Sequence, residues 1–127
     1  MRRIVLNMQN YLFCDAIAGV LREEESDFDV HVAESTDEVI DLCGYVRPYA
    51  VLMEVTGTSP YLISERLKLR DRIKEKVPDC KIVLVVDENS EKLLAREVRL
   101  TKKDGLIDQF IYGSVSATYL VAVLDTL

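Results

Sequence analysis

Cysteine and histidine are scarce in this chain. Cys14, Cys43 and Cys80 are an odd number with no C-x-x-C spacing, and His31 is the single histidine. The paired soft ligands of a zinc site and the even cysteine count of a secreted disulfide scaffold are both missing, so reduced, buried thiols are expected. No long apolar run opens the sequence either. Met1-Arg2-Arg3 leads into Ile4 to Leu6 and then Asn7, too short for a signal-peptide core or a membrane span, and a cytoplasmic location is expected. Positive charge is in deficit, with 16 Lys plus Arg against 22 Asp plus Glu and a formal charge of -6. Such a balance repels phosphate backbones and anionic headgroups, so direct nucleic-acid or membrane binding is not expected. With 5 Gly and 3 Pro in 127 residues, and no linker, repeat or low-complexity stretch, residues 1–127 read as one globular domain. A chain of this length buries about two-thirds of its unfolded surface, enough for a core without staples.

What is present is an alternation of two periodicities. Ile4 to Leu6, Phe28 to Val32, Tyr49 to Val55, Lys81 to Val86 and Ile107 to Tyr112 have the apolar, β-branched character of strands. Helical patterns fill the gaps. The first is capped by Asn10, carries Phe13, Ile17, Val20 and Leu21 on one stripe, and exits through Glu23-Glu24-Glu25. The second has Ser35 and Glu38 in capping-box spacing, Val39, Ile40, Cys43 and Val46 on one face, and Pro48 beyond its end. For the third, Ser59-Pro60 reads as a capping hydroxyl and a first-position proline before a charged stretch to Pro78 whose outer face is solvated. The fourth begins near Ser90, presents Leu93, Leu94 and Val98, and closes with Lys102-Lys103-Asp104-Gly105. The fifth spans about Ser116 to Leu127. Strands joined by crossover-length helices predict an α/β fold with a doubly wound parallel sheet. Ligand sites in such sheets lie at the strand carboxyl ends, here Asn7 to Asn10, Glu54 to Ser59, Val86 to Asn89 and Tyr112 to Ser114.

In order and spacing these units resemble the receiver domain of bacterial response regulators, the CheY-like family, over essentially the whole chain. The resemblance implies a flavodoxin-like, five-stranded sheet of order 2-1-3-4-5 with five helices. It also implies an aspartate ending the third strand that takes a phosphoryl group from a histidine kinase, and a magnesium ion held beside it by an acidic pair after the first strand. A hydroxyl ending the fourth strand and a lysine ending the fifth complete that site.

Carried over residue by residue, Tyr49 to Glu54 matches the third strand and puts Glu54 at the phosphoacceptor position. Arg3 to Leu6 matches the first, leaving Met8 and Gln9 where the acidic pair belongs; Ile82 to Val85 matches the fourth, with Val86 in place of the hydroxyl. Phe110 to Tyr112 matches the fifth, with Gly113 at the lysine position and Phe110 at the switch aromatic. Magnesium wants octahedral oxygen coordination, and phosphoryl transfer needs cations on the transferred group, so this set of side chains predicts no magnesium cofactor and no enzymatic activity. The domain reads as a degenerate pseudo-receiver. Glu54 has two readings: a longer acid with a permanent charge that imitates the phosphorylated state, or a partly buried carboxylate satisfied by backbone donors. Asp87 and Glu88 are rim or capping residues.

The resemblance implies that function then falls to protein contacts through helix 4, strand 5 and helix 5. Val115 to Leu124 is apolar nearly all round, so a second copy or another protein is expected to cover part of it, unless the long insert before strand 5 does so instead. Arg96 and Arg99 offer a basic spot for an acidic partner. The alternatives are a genuine phosphorelay receiver and a sensor of a small anion held by Thr56, Gly57, Thr58 and Ser59, a stretch that helix capping also explains. A flavin loop after strand 1 and a phosphatase cysteine are both missing, since Asn7 to Asn10 has no hydroxyl and Cys14 lies within a helix pattern, with Val20 where an arginine would stand. His31 reads as a packed edge-strand residue without a partner acid.

Overall fold

The computed structural model describes residues 1–23, 27–87 and 92–127. Glu24, Glu25, Glu88, Asn89 and Ser90, which figured in the expected first-helix exit, fourth loop and fourth-helix start, lie outside the described residues. Strands and helices alternate in the order β1 (Arg2–Asn7), α1 (Tyr11–Glu23), β2 (Phe28–Val32), α2 (Thr36–Val46), β3 (Ala50–Glu54), α3 (Ile63–Lys76), β4 (Lys81–Val86), α4 (Lys92–Lys103), β5 (Gln109–Tyr112) and α5 (Ala117–Asp125). The five strands form one sheet of order β2-β1-β3-β4-β5, parallel throughout. Sheet order and helix number are those the sequence predicts.

Strand alternation sorts the core into two layers. Ile4, Leu6, Ala50, Leu52, Val83 and Val85 face α1 and α5, which contribute Ile17, Leu21, Leu120 and Leu124. Val5, Val51, Met53, Ile82, Leu84 and Val86 face α2, α3 and α4, which contribute Ile40, Cys43, Leu69, Ile73 and Val98. The central strands, buried on both faces, therefore read as continuous apolar runs. The three thiols are buried and unpaired by disulfide; burial pushes Cys43 up to about 11 and Cys80 up to about 12, which keeps them protonated and inert.

Helix ends follow local chemistry where a side chain is free to cap. Asn10 Oδ1 accepts from the Phe13 N–H at 3.0 Å, and Ser35 Oγ from that of Glu38 at 3.1 Å. The Glu38 carboxylate reaches back to the Glu34 N–H at 3.2 Å. Arg47, at φ 48°, and Gly105, at φ 79°, take the left-handed positions beyond α2 and α4. The third helix departs from expectation. It begins at Ile63 behind Leu62, which provides no side-chain cap, because Ser59 Oγ donates instead to Glu65 Oε2 at 2.8 Å and Thr56 Oγ1 closes its own turn on the Thr58 N–H at 3.1 Å.

One further expectation fails, and so does one alternative. Leu93 is not a core residue but 76% exposed; the buried line of α4 is Ala95, Val98 and Thr101, rotated from the stripe that Leu93 would join. The insert before β5 does not cover α5, since Ile107 packs in the opposite core layer. Instead α1 shares the burial of Leu120 and Leu124, and the outward side of α5 carries small residues around Tyr119. His31 sits on edge strand β2 as expected, but with an acid: its Nε2 is 3.0 Å from Asp29 Oδ2.

Candidate functional site

The carboxyl ends of β1 and β3 adjoin. Asn7 pairs with Met53 in register, so Met8 stands level with Glu54. Glu54 has the parity of Ala50 and Leu52 and points to the α1 side of the sheet. There its Oε1 accepts two backbone N–H bonds, from Gln9 at 2.8 Å and Asn10 at 3.0 Å. The residue is 8% exposed. These donors belong to the turn that opens α1, so the carboxylate lies in the favourable field of the helix N-terminus. Glu54 thus ties the end of β3 to the β1–α1 loop.

On the opposite side, Asn7 has the parity of Val5 and faces α3. Arg66, 1% exposed, spans the two strand ends from below: its Nε donates to the Glu54 carbonyl at 2.9 Å, one terminal nitrogen to Asn7 Oδ1 at 2.7 Å, and the other to the Asn7 carbonyl at 3.1 Å. Asn7 Nδ2 in turn donates to the Ala33 carbonyl at 2.9 Å. The guanidinium lies 4.8 Å from the Tyr61 ring centre. Burial pulls the Arg66 pKa down to about 10, a displacement that Tyr61, Glu54 and Glu65 partly oppose, and the group stays charged at neutral pH. A buried cation of this kind is tolerable only because its donors meet oriented acceptors.

The other positions named from sequence fall as follows. Met8 is buried in the α1 and α5 layer, while Gln9 is exposed and meets Glu54 through its backbone alone. Val86 is buried on the opposite layer, and its carbonyl accepts from the Gly113 N–H at 3.0 Å. A Cβ at Gly113 would stand 3.5 Å from the Phe13 ring, so an aromatic from α1 leans where a residue at 113 would extend. Phe110 is half-buried, edge-on to Tyr112 at 5.5 Å and 65°, with Lys102 Nζ 5.7 Å from its ring centre. The Thr56 hydroxyl is spent on the Thr58 backbone carbonyl and N–H, and the Ser59 hydroxyl on Glu65; Gly57 is exposed in the same loop.

Cavities run along this edge. One of about 490 Å³ is lined by Gln9, Asn10, Glu54, Thr56, Thr58 and Asp87, and one of about 260 Å³ by Asn10, Phe13, Glu54, Asp87, Gly113 and Ser114. Among the described residues, no group of three or more His, Cys, Asp or Glu side chains is placed to hold a metal ion. Arg66 and Phe13 escaped the sequence reading as site residues. Arg66 had a signal: with Leu69 and Ile73 it completes an i, i+3, i+7 inward stripe.

The architecture is the CheY-like receiver fold of response regulators. Response regulator TrrA from Thermotoga maritima, solved in complex with magnesium and BeF, matches with a TM-score of 0.74 at 17% identity, over 99% of this chain and 98% of that one. The CheY-like receiver protein from Methanospirillum hungatei matches at 0.72 and 14% identity, over 99% and 92%. NtrX from Brucella abortus, in complex with ADP, matches at 0.70 and 19% identity; this chain covers 99% of itself there but spans only 26% of NtrX. No protein-family model and no curated protein matches the sequence. No helix among the described residues is long and apolar enough to cross a membrane.

Proposed function

We propose that this chain is a receiver-like signalling module, of pseudo-receiver type, that works without phosphorylation and through protein contacts in the cytoplasm. The observation that carries the reading is the state of Glu54: the carboxylate at the phosphoacceptor-equivalent position is already bound, by the Gln9 and Asn10 N–H groups. Its neighbour in register is a buried thioether, and on the opposite side of the sheet the Asn7 amide is taken by Arg66. Magnesium does not suit such a donor set, since one Glu54 oxygen is committed, Met8 offers a thioether, and Asp87 is the one other carboxylate lining the cavity among the described residues. Phosphoryl transfer without that metal or a lysine at position 113 lacks the charge compensation it depends on. The same internal bonds hold the loop in one conformation, as a constitutively set module requires.

The contact surface in this reading is α4, β5 and α5. Leu93 and Leu100 are 76% and 51% exposed, seven residues apart on one side of α4, and Leu106 beyond α4 and Tyr119 on α5 are also exposed. Lys92, Arg96, Arg99, Lys102 and Lys103 against Glu97 make α4 basic in an acidic protein, and Arg99 donates to the Tyr112 hydroxyl at 3.0 Å. An acidic protein, or the acidic remainder of a second copy in a homodimer, complements that face. Nucleic acid has no part in this reading.

Incubation with acetyl phosphate and magnesium tests the chemistry. No phosphoryl adduct is expected by intact mass spectrometry under conditions that label a receiver with a complete acidic pair. An adduct mapped to Glu54 would return the chain to phosphorelay signalling.

A further inference from the structure

Phe13 and Gly113 line the acidic cavity at Glu54. Those two residues also line a third space, an apolar groove of about 150 Å³ between α1 and α5 whose other walls include Ala16, Val20, Val115 and Leu120. An apolar space of this size holds one benzene-sized ring. Its neighbour has the opposite character. Glu54 enters it with one oxygen engaged, and among the described residues Oε2 accepts no hydrogen bond. Asp87 lines the same space, and no lysine or arginine lines any of the three cavities.

The geometry points to a binding site for a small aromatic amine, its ring in the α1–α5 groove and its ammonium on Glu54 Oε2. Anions are repelled by the two carboxylates, and a bare metal ion finds too few ligands. A monocation with an apolar body answers both halves of the cleft: the body removes groove surface from water, and the ammonium donates a charge-assisted hydrogen bond to a carboxylate held in place by two backbone donors. Phe13 lines both spaces. The site is independent of the α4 surface and of the partner reading.

Amide NMR titration of the whole chain with phenethylamine tests it, with 2-phenylethanol and ethylamine as probes lacking the charge and the ring. Saturable shifts at Gln9, Asn10, Phe13, Gly113 and Val115 are expected with phenethylamine. Loss of a hydrogen bond to a charged group corresponds to about tenfold or more in affinity, so 2-phenylethanol should bind at least that much more weakly, and so should phenethylamine to Glu54→Gln. The Gln side chain keeps an oxygen for the two N–H donors. Ala16→Trp, a change at an exposed position, should abolish the shifts by filling the groove, and it serves if Glu54→Gln does not fold. Equal binding of the alcohol, equal shifts from ethylamine, or no saturable shift with phenethylamine overturns the proposal.

Discussion

Arg66→Ala is expected to destabilise the fold by about 3–4 kcal/mol, read as a shift of the urea midpoint at unchanged slope. The substitution leaves Asn7 Oδ1, the Asn7 carbonyl and the Glu54 carbonyl without their donor. At a position 1% exposed, water reaches those acceptors only by opening the structure. The relief of no longer burying a cation offsets part of this loss, which is why the figure stays below the sum of three charge-assisted bonds. Arg66→Lys should recover little, because an ammonium cannot present a planar fork to acceptors on two strands. A loss below about 1 kcal/mol for Arg66→Ala would mean that the guanidinium does not hold the strand ends.

Glu54→Ala is expected to cost about 2 kcal/mol, and Glu54→Gln less than half of that. Alanine removes the acceptor of the Gln9 and Asn10 N–H groups and leaves the first turn of α1 partly unsatisfied, a loss comparable to removing a strong helix cap. Glutamine preserves one acceptor oxygen and the reach. Hydrogen exchange at Gln9, Asn10 and Tyr11 locates the effect: protection should fall for alanine and persist for glutamine. If both variants lose protection alike, the charge of Glu54, not its hydrogen bonds, organises the loop.

The fold was legible because its information is local and repeated. β2 and β4 occur where apolar, β-branched runs place them, and α2 starts and stops at Ser35 and before Pro48, where capping chemistry has no competitor. The start of α3 was not legible. Ser59 could cap a helix or bind a carboxylate, and only the tertiary position of Glu65 selects between them. Leu93 was misplaced because the line that α4 buries runs through Ala95, Val98 and Thr101, with Leu94 packed against the same core, and Leu93 lies off it.

The site was half legible. Glu54 follows directly from the end of the third strand, and one of its two readings, a carboxylate satisfied by backbone donors, is the arrangement found. Its cationic counterpart was hidden among exposed charges. Arg66 lies in a helix with eight other charged residues, and the usual rule sends all of them to solvent. Spacing to Leu69 and Ile73 identifies the exception, but what it binds depends on strand ends far away in sequence. Phe13 was read as a core residue, and its position over Gly113 follows from how α1 lies on β5, which no local pattern encodes.

The central claim is that the receiver-type site no longer assembles a magnesium and phosphoryl centre. Backbone amide NMR, with magnesium added first and beryllofluoride second, tests it most directly. No concerted change around Glu54, Val86 and Gly113 is predicted at modest magnesium, with or without the phosphoryl mimic. Joint, saturable shifts at those three positions would contradict the account and show that the crevice still assembles a metal and phosphoryl site.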